Sequence, residues 1–124
     1  MVGGRILLVS YDTVLLRTRQ LVLSGVGYDV VGAADMAAAR AACQEMNFDL
    51  VVIGHSIPSS DQSDLMIMVK QECEGAPVLL IIRSESQACS GGADYWVNAQ
   101  DGPGVLLDAV NSILRAPKAR ERSA

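Results

Sequence analysis

The chain has 124 residues and a mass of 13.1 kDa, the size of one domain that buries roughly two thirds of its unfolded surface, which excludes a two-domain reading. Half of the residues are apolar, 19% are charged and the mean hydropathy is +0.27, too apolar for intrinsic disorder and suited to a fold whose elements are mostly buried. The net charge of -4 hides an asymmetry, because residues 115–124 hold four basic residues and one acid while the remainder holds six and thirteen.

An acidic body argues against a folded nucleic-acid-binding face, which needs clustered Lys and Arg. The basic end, 117–124, reads as a flexible solvated tail on a domain spanning 1–116. The longest apolar runs, Leu65–Val69 and Val78–Ile82, are five residues each, against about 20 for a bilayer span. The opening Met1-Val2-Gly3-Gly4-Arg5 has no secretory pattern, so the expectation is a cytoplasmic protein with no membrane contact.

In chain order, Arg5–Ser10 (RILLVS) reads as a buried strand, and Thr13–Ser24 as a helix stopped by Gly25 and Gly27. Tyr28–Ala33 is a second strand, and Asp35 caps an alanine-rich helix over Met36–Met46. Leu50–Ile53 is a third strand. Ser60 or Asp61 then caps a helix to about Glu74 that turns Leu65, Met66, Met68 and Val69 inward.

Gly75-Ala76-Pro77 resets the chain for a fourth strand over Val78–Ile82. The polar stretch Arg83–Gly91 leaves room only for a shortened fourth helix. Tyr95–Val97 is a short fifth strand. Asp101 caps a last helix with Pro103 in its first turn and Leu106, Leu107, Val110, Ile113 and Leu114 on one face. Strands without polar alternation, each followed by a helix, predict an α/β doubly wound five-stranded parallel sheet covered on both faces. Such folds place their sites at the carboxyl ends of the strands.

Cys43, Cys73 and Cys89 form an odd set without C-x-x-C spacing, and His55 is the only histidine, so no metal centre and no cofactor is expected. Cys43, among alanines, reads as a small buried hydrophobe. Cys89 would be reactive only if exposed. All three read as ordinary residues without a functional role.

Taken together, RILLVSYD, GYDVVGA, FDLVVIGHSIP, APVLLII and GADYWV, in this order and spacing, resemble the receiver domain of two-component response regulators, from Arg5 to about Leu114. The resemblance implies a flavodoxin-like receiver fold and phosphoryl transfer from a histidine kinase to an aspartate at the end of the third strand. The matching position here is Gly54, which has no side chain to form an acyl phosphate. The acidic pair that holds a divalent cation is replaced by Ser10 and Tyr11, with Asp12 alone beside them. The hydroxyl and the lysine that contact the phosphoryl group are replaced by Ile82 and Ala99. Gln100 stands where a proline usually follows, so its peptide bond is expected to be trans.

Ser10, Tyr11, Asp12, Gly54, Ile82 and Ala99 therefore read as a vestigial phosphorylation pocket. Trp96 holds the family's switch-aromatic position and, with Ile82 opposite, is expected to be a fixed, partly buried anchor. His55 reads as a loop residue, and Ser84 likewise. The expected function is a non-enzymatic, stand-alone pseudo-receiver in two-component phosphorelay signalling that binds a protein partner or a second copy of itself as a homodimer, with no nucleic acid. The alternative is a small-molecule or anion sensor in the cleft vacated between Ser10, Gly54 and Ala99.

Overall fold

The structure, a computed structural model, describes residues 4–54, 57, 59–73, 76–82, 94–98 and 103–115. Its elements are β1 (Arg5–Val9), α1 (Thr13–Ser24), β2 (Asp29–Ala33), α2 (Met36–Glu45), β3 (Leu50–Ile53), α3 (Ser59–Glu72), β4 (Val78–Ile82), β5 (Tyr95–Asn98) and α4 (Pro103–Arg115). The five strands form one parallel sheet in the order β2-β1-β3-β4-β5. This is the doubly wound order in which the chain reverses direction across the sheet between β1 and β3.

Strand alternation divides the apolar residues between two faces. Leu7, Val9, Val51, Ile53, Val78, Leu80 and Ile82 pack with Ala39, Ala42 and Cys43 of α2 and Leu65, Met66, Met68 and Val69 of α3. Ile6, Leu8, Leu50, Val52, Leu79 and Ile81 pack on the opposite face with Leu23 of α1 and Leu106, Val110 and Ile113 of α4. Both faces of the central strands are therefore covered, which is why β1, β3 and β4 carry aliphatic runs rather than alternating polar residues. Removing one buried Leu from such a layer costs about 2–5 kcal/mol.

Local signals set the element ends. The Asp12 carboxylate accepts from the backbone N–H groups of Val14 and Leu15 and so caps α1. Asp35 does the same for α2 through Ala38, each cap contributing about 1 kcal/mol. After α1, Gly25 donates to Leu21 and Gly27 turns at φ 106°, a conformation that glycine adopts without a Cβ clash. At the far edge, Asp94 accepts from the Val78 amide at 2.8 Å and meets Lys70 Nζ at 3.2 Å, which ties the start of β4 to α3.

Several boundaries differ from the sequence reading. Ser10 and Tyr28 flank strands rather than belonging to them, and Met46 caps α2 instead of ending within it. α3 begins at Ser59, so Ser60 and Asp61 lie in its first turn and not at its cap. The stretch expected to hold a shortened fourth helix, the Asp101 cap and the 117–124 tail lie outside the described residues. Among the described residues no helix is long and apolar enough to cross a membrane.

Cys43 is not an isolated hydrophobe. It is joined to Cys73 by a disulfide bond, with the two Cα atoms 5.2 Å apart and a sequence separation of 30. The pairing follows from topology, because α2 and the end of α3 sit side by side on one sheet face. Local spacing could not indicate it. Cys89 lies outside the described residues.

Candidate functional site at the strand ends

The parallel ladder continues one residue beyond β1 and β3. Gly54 donates its amide to the Val9 carbonyl at 2.8 Å, and Ser10 donates to the Ala33 carbonyl at 3.1 Å. These two bonds place Ser10 and Gly54 side by side at the carboxyl edge of the sheet, both buried. Ile82 ends the neighbouring strand β4 and is fully buried. Ala99, His55, Ser84 and Gln100 fall outside the described residues.

The polar groups at this edge engage one another. The Ser10 hydroxyl donates to the Asp12 carbonyl at 3.2 Å, while the Asp12 carboxylate is committed to the α1 cap. Gln62, 2% exposed, reaches from the first turns of α3 and donates Nε2 to the Gly54 carbonyl at 3.2 Å. The half-buried Tyr11 packs against the α2–α3 layer, and its hydroxyl donates to Asp61. Burial first, and then the carboxylates of Asp61, Asp35 and Asp64, push the Tyr11 phenol above its ordinary value, since each disfavours a phenolate.

The space left by glycine is occupied. A Cβ placed on Gly54 would lie 3.1 Å from Arg19 Nη1, 3.2 Å from the Val9 carbonyl oxygen and 3.4 Å from Ser10 Cβ. Arg19 belongs to α1, is half-buried and brings its buried Nη1 under the end of β3. Burial lowers the affinity of its guanidinium for the proton, and the Asp12 carboxylate opposes that effect. The vacated cleft expected at Gly54 is therefore filled on this side by a cation from α1.

Trp96, expected as a fixed, partly buried anchor, stands on β5. Its ring is 48% exposed, because β5 is an edge strand with β4 as its only partner among the described residues. Together with Asp94, Tyr95, Leu79, Ala109 and Ile113 it borders an open groove between β5 and α4.

Sequence reasoning singled out Ser10, Tyr11, Asp12 and Gly54, and the fold gathers all four. It missed Arg19 and Gln62. A signal for Arg19 was present, since it falls between Leu16 and Leu23 on the helical face that packs on the sheet. Gln62 carried none, because one polar residue in the first turns of a helix is ordinarily solvated.

No protein-family model matches the chain, and no curated protein sequence matches it. Solved structures do. A CheY-like response regulator receiver domain protein from Methanospirillum hungatei JF-1 is 21% identical, with 99% of this chain and 100% of that one covered and a TM-score of 0.79. The receiver domain of the hybrid histidine kinase CckA is 24% identical over 90% of this chain and 99% of its own, with a TM-score of 0.73. The response regulator TrrA from Thermotoga maritima, solved in complex with Mg²⁺-BeF, is 21% identical over 89% of this chain and 98% of its own, at 0.75. Identity at this level establishes architecture alone, and the architecture is the flavodoxin-like fold of the CheY-like response-regulator receiver domains.

Proposed function

We propose that this chain is a receiver-type signalling module that takes no phosphoryl group and acts by phosphorylation-independent contact with a protein partner or a second copy of itself. The observation that carries the reading is Gly54. It occupies the end of β3 where the receiver reaction needs a carboxylate, and Arg19 Nη1 takes up the side-chain space. The remaining polar groups are already engaged, Asp12 as a helix cap and Ser10 with the Asp12 carbonyl. No nucleophile is left at the position of the reaction, so the module is non-enzymatic.

Binding rather than chemistry is also what the surface supports. Val14 and Leu21 are 73% and 67% exposed on α1, seven residues apart and so close to one helical stripe, beside Arg17 and Thr18. An apolar stripe of this kind suits a helix or sheet edge of another protein.

The test is incubation with acetyl phosphate and Mg²⁺, read by intact mass and Trp96 emission, beside an active receiver as control. The expected result is no mass gain and unchanged emission while the control is phosphorylated. A stoichiometric hydroxylamine-labile adduct would overturn the proposal and direct attention to Asp12.

A further inference from the structure

α2 and α3 cover one sheet face together, and the Cys43–Cys73 bond joins them. Both cysteines are nearly inaccessible, at 5% and 6%, in an aliphatic layer that includes Ala39, Ala42, Met68, Val69 and Ala76. A second tie between these helices, Arg40 to Glu72 at 3.6 Å, is solvent-exposed on the arginine side and correspondingly weak.

We propose that the Cys43–Cys73 pair is a thiol–disulfide switch whose state sets how firmly α2 and α3 are held together on the sheet. The layer accommodates either state, because a cysteine thiol behaves as a small hydrophobe and two thiols fill nearly the volume of the bonded pair. Bonding closes a loop that contains all of β3, Gly54 and α3. The first turns of α3 carry Asp61, which accepts from Tyr11, and Gln62, which donates to the Gly54 carbonyl. A tether at the end of this helix therefore restrains the side chains at the strand ends.

The redox chemistry balances with a small-molecule disulfide as oxidant. One cysteine thiolate attacks it, forms a mixed disulfide and releases one small thiol. The second cysteine then displaces the other, so two protein thiols become one disulfide as the oxidant becomes two thiols. A dithiol reverses the sequence. Burial of both sulfurs means that exchange proceeds through local separation of α2 from α3.

The test uses the whole chain carrying Cys89→Ser, equilibrated with either glutathione disulfide or dithiothreitol. Thiols are counted by alkylation in denaturant, Tm is measured, and hydrogen exchange is followed over 36–45 and 59–72. The expected oxidised chain has no alkylatable thiol, melts about 10 °C higher, and exchanges more slowly in both helices. The Cys43→Ala/Cys73→Ala chain is expected to show the same Tm under both conditions. Two alkylatable thiols after oxidation, or equal Tm and exchange in the two states, would overturn the proposal. The comparison of the two redox states stands whether or not the double variant folds, and neither readout depends on phosphorylation.

Discussion

Restoring the missing carboxylate with Gly54→Asp isolates what Arg19 does. Gly54 does not have a positive φ, so its backbone accepts an L side chain. The new Cβ would meet Arg19 Nη1 at 3.1 Å and the Val9 carbonyl oxygen at 3.2 Å. The guanidinium is the end of a flexible side chain and can yield by a few tenths of an ångström; the carbonyl cannot. Crowding alone therefore costs about 1–2 kcal/mol.

Against this cost stands the attraction between the carboxylate and the guanidinium, about 4 kcal/mol at 4 Å for an effective dielectric near 20, less the desolvation of the new charge. Gly54→Asp alone should shift stability by no more than about 2 kcal/mol. In Arg19→Ala/Gly54→Asp the carboxylate is buried without that cation. The double-mutant cycle should yield a coupling of about 1–3 kcal/mol in urea titrations. The same pairing occupies the nucleophile, so Gly54→Asp should gain no phosphoryl group from acetyl phosphate with Mg²⁺. Coupling below about 0.5 kcal/mol would refute the placement of Arg19 under β3. Phosphorylation of Gly54→Asp to the level of an active receiver would refute the claim that Arg19 blocks the position.

Two further outcomes follow from the strand-end contacts. Gln62→Ala removes the donor to the Gly54 carbonyl and opens a cavity in a buried position; the expected loss is about 2–3 kcal/mol by urea unfolding, and a loss within error would show that bond to be dispensable. Tyr11 has a folded-state pKa raised above the ordinary 10.0 by burial and by Asp61. Its contribution is thus fully present below pH 10 and lost as pH rises through the higher folded value. Between pH 9 and 11 the unmodified chain should therefore lose more stability than Tyr11→Phe, and parallel pH profiles would contradict this.

The fold was largely legible. Leu50–Ile53 and Val78–Ile82 coincide with the observed strands, because a continuous aliphatic run between polar residues or glycine suits a strand buried on both faces. The inward set Leu65, Met66, Met68 and Val69 is buried as the helical phase requires. α1 is the element whose polarity misleads, with Arg19 and Gln20 toward the sheet and Val14 and Leu21 toward solvent. Its composition shows two arginines, and only the helical phase set by Leu16 and Leu23 separates the inward Arg19 from the exposed Arg17. The Cys43–Cys73 bond was hidden for a different reason. Its partners are brought together by β3 and α3 lying between them in sequence, a relation that exists only once the layers have formed.

The separation between core and edge explains how Ser10 and Gly54 can stand at the strand ends without disturbing the packed layers. The two apolar layers are built from alternating strand residues and the inner faces of four helices, and neither Ser10 nor Gly54 belongs to them. What must be satisfied at the edge is polar, and the replacements satisfy it locally: Ser10 with the Asp12 carbonyl, Asp12 with the α1 amides, Gln62 with the Gly54 carbonyl, Tyr11 with Asp61. In a phosphate-binding site these positions hold charges that repel one another until metal and phosphoryl group arrive. Here the contacts of Ser10, Asp12, Gln62 and Tyr11 close without either. On the function proposed above, the module responds to what docks on its surface or to what ties its helices together, and not to a group added at β3.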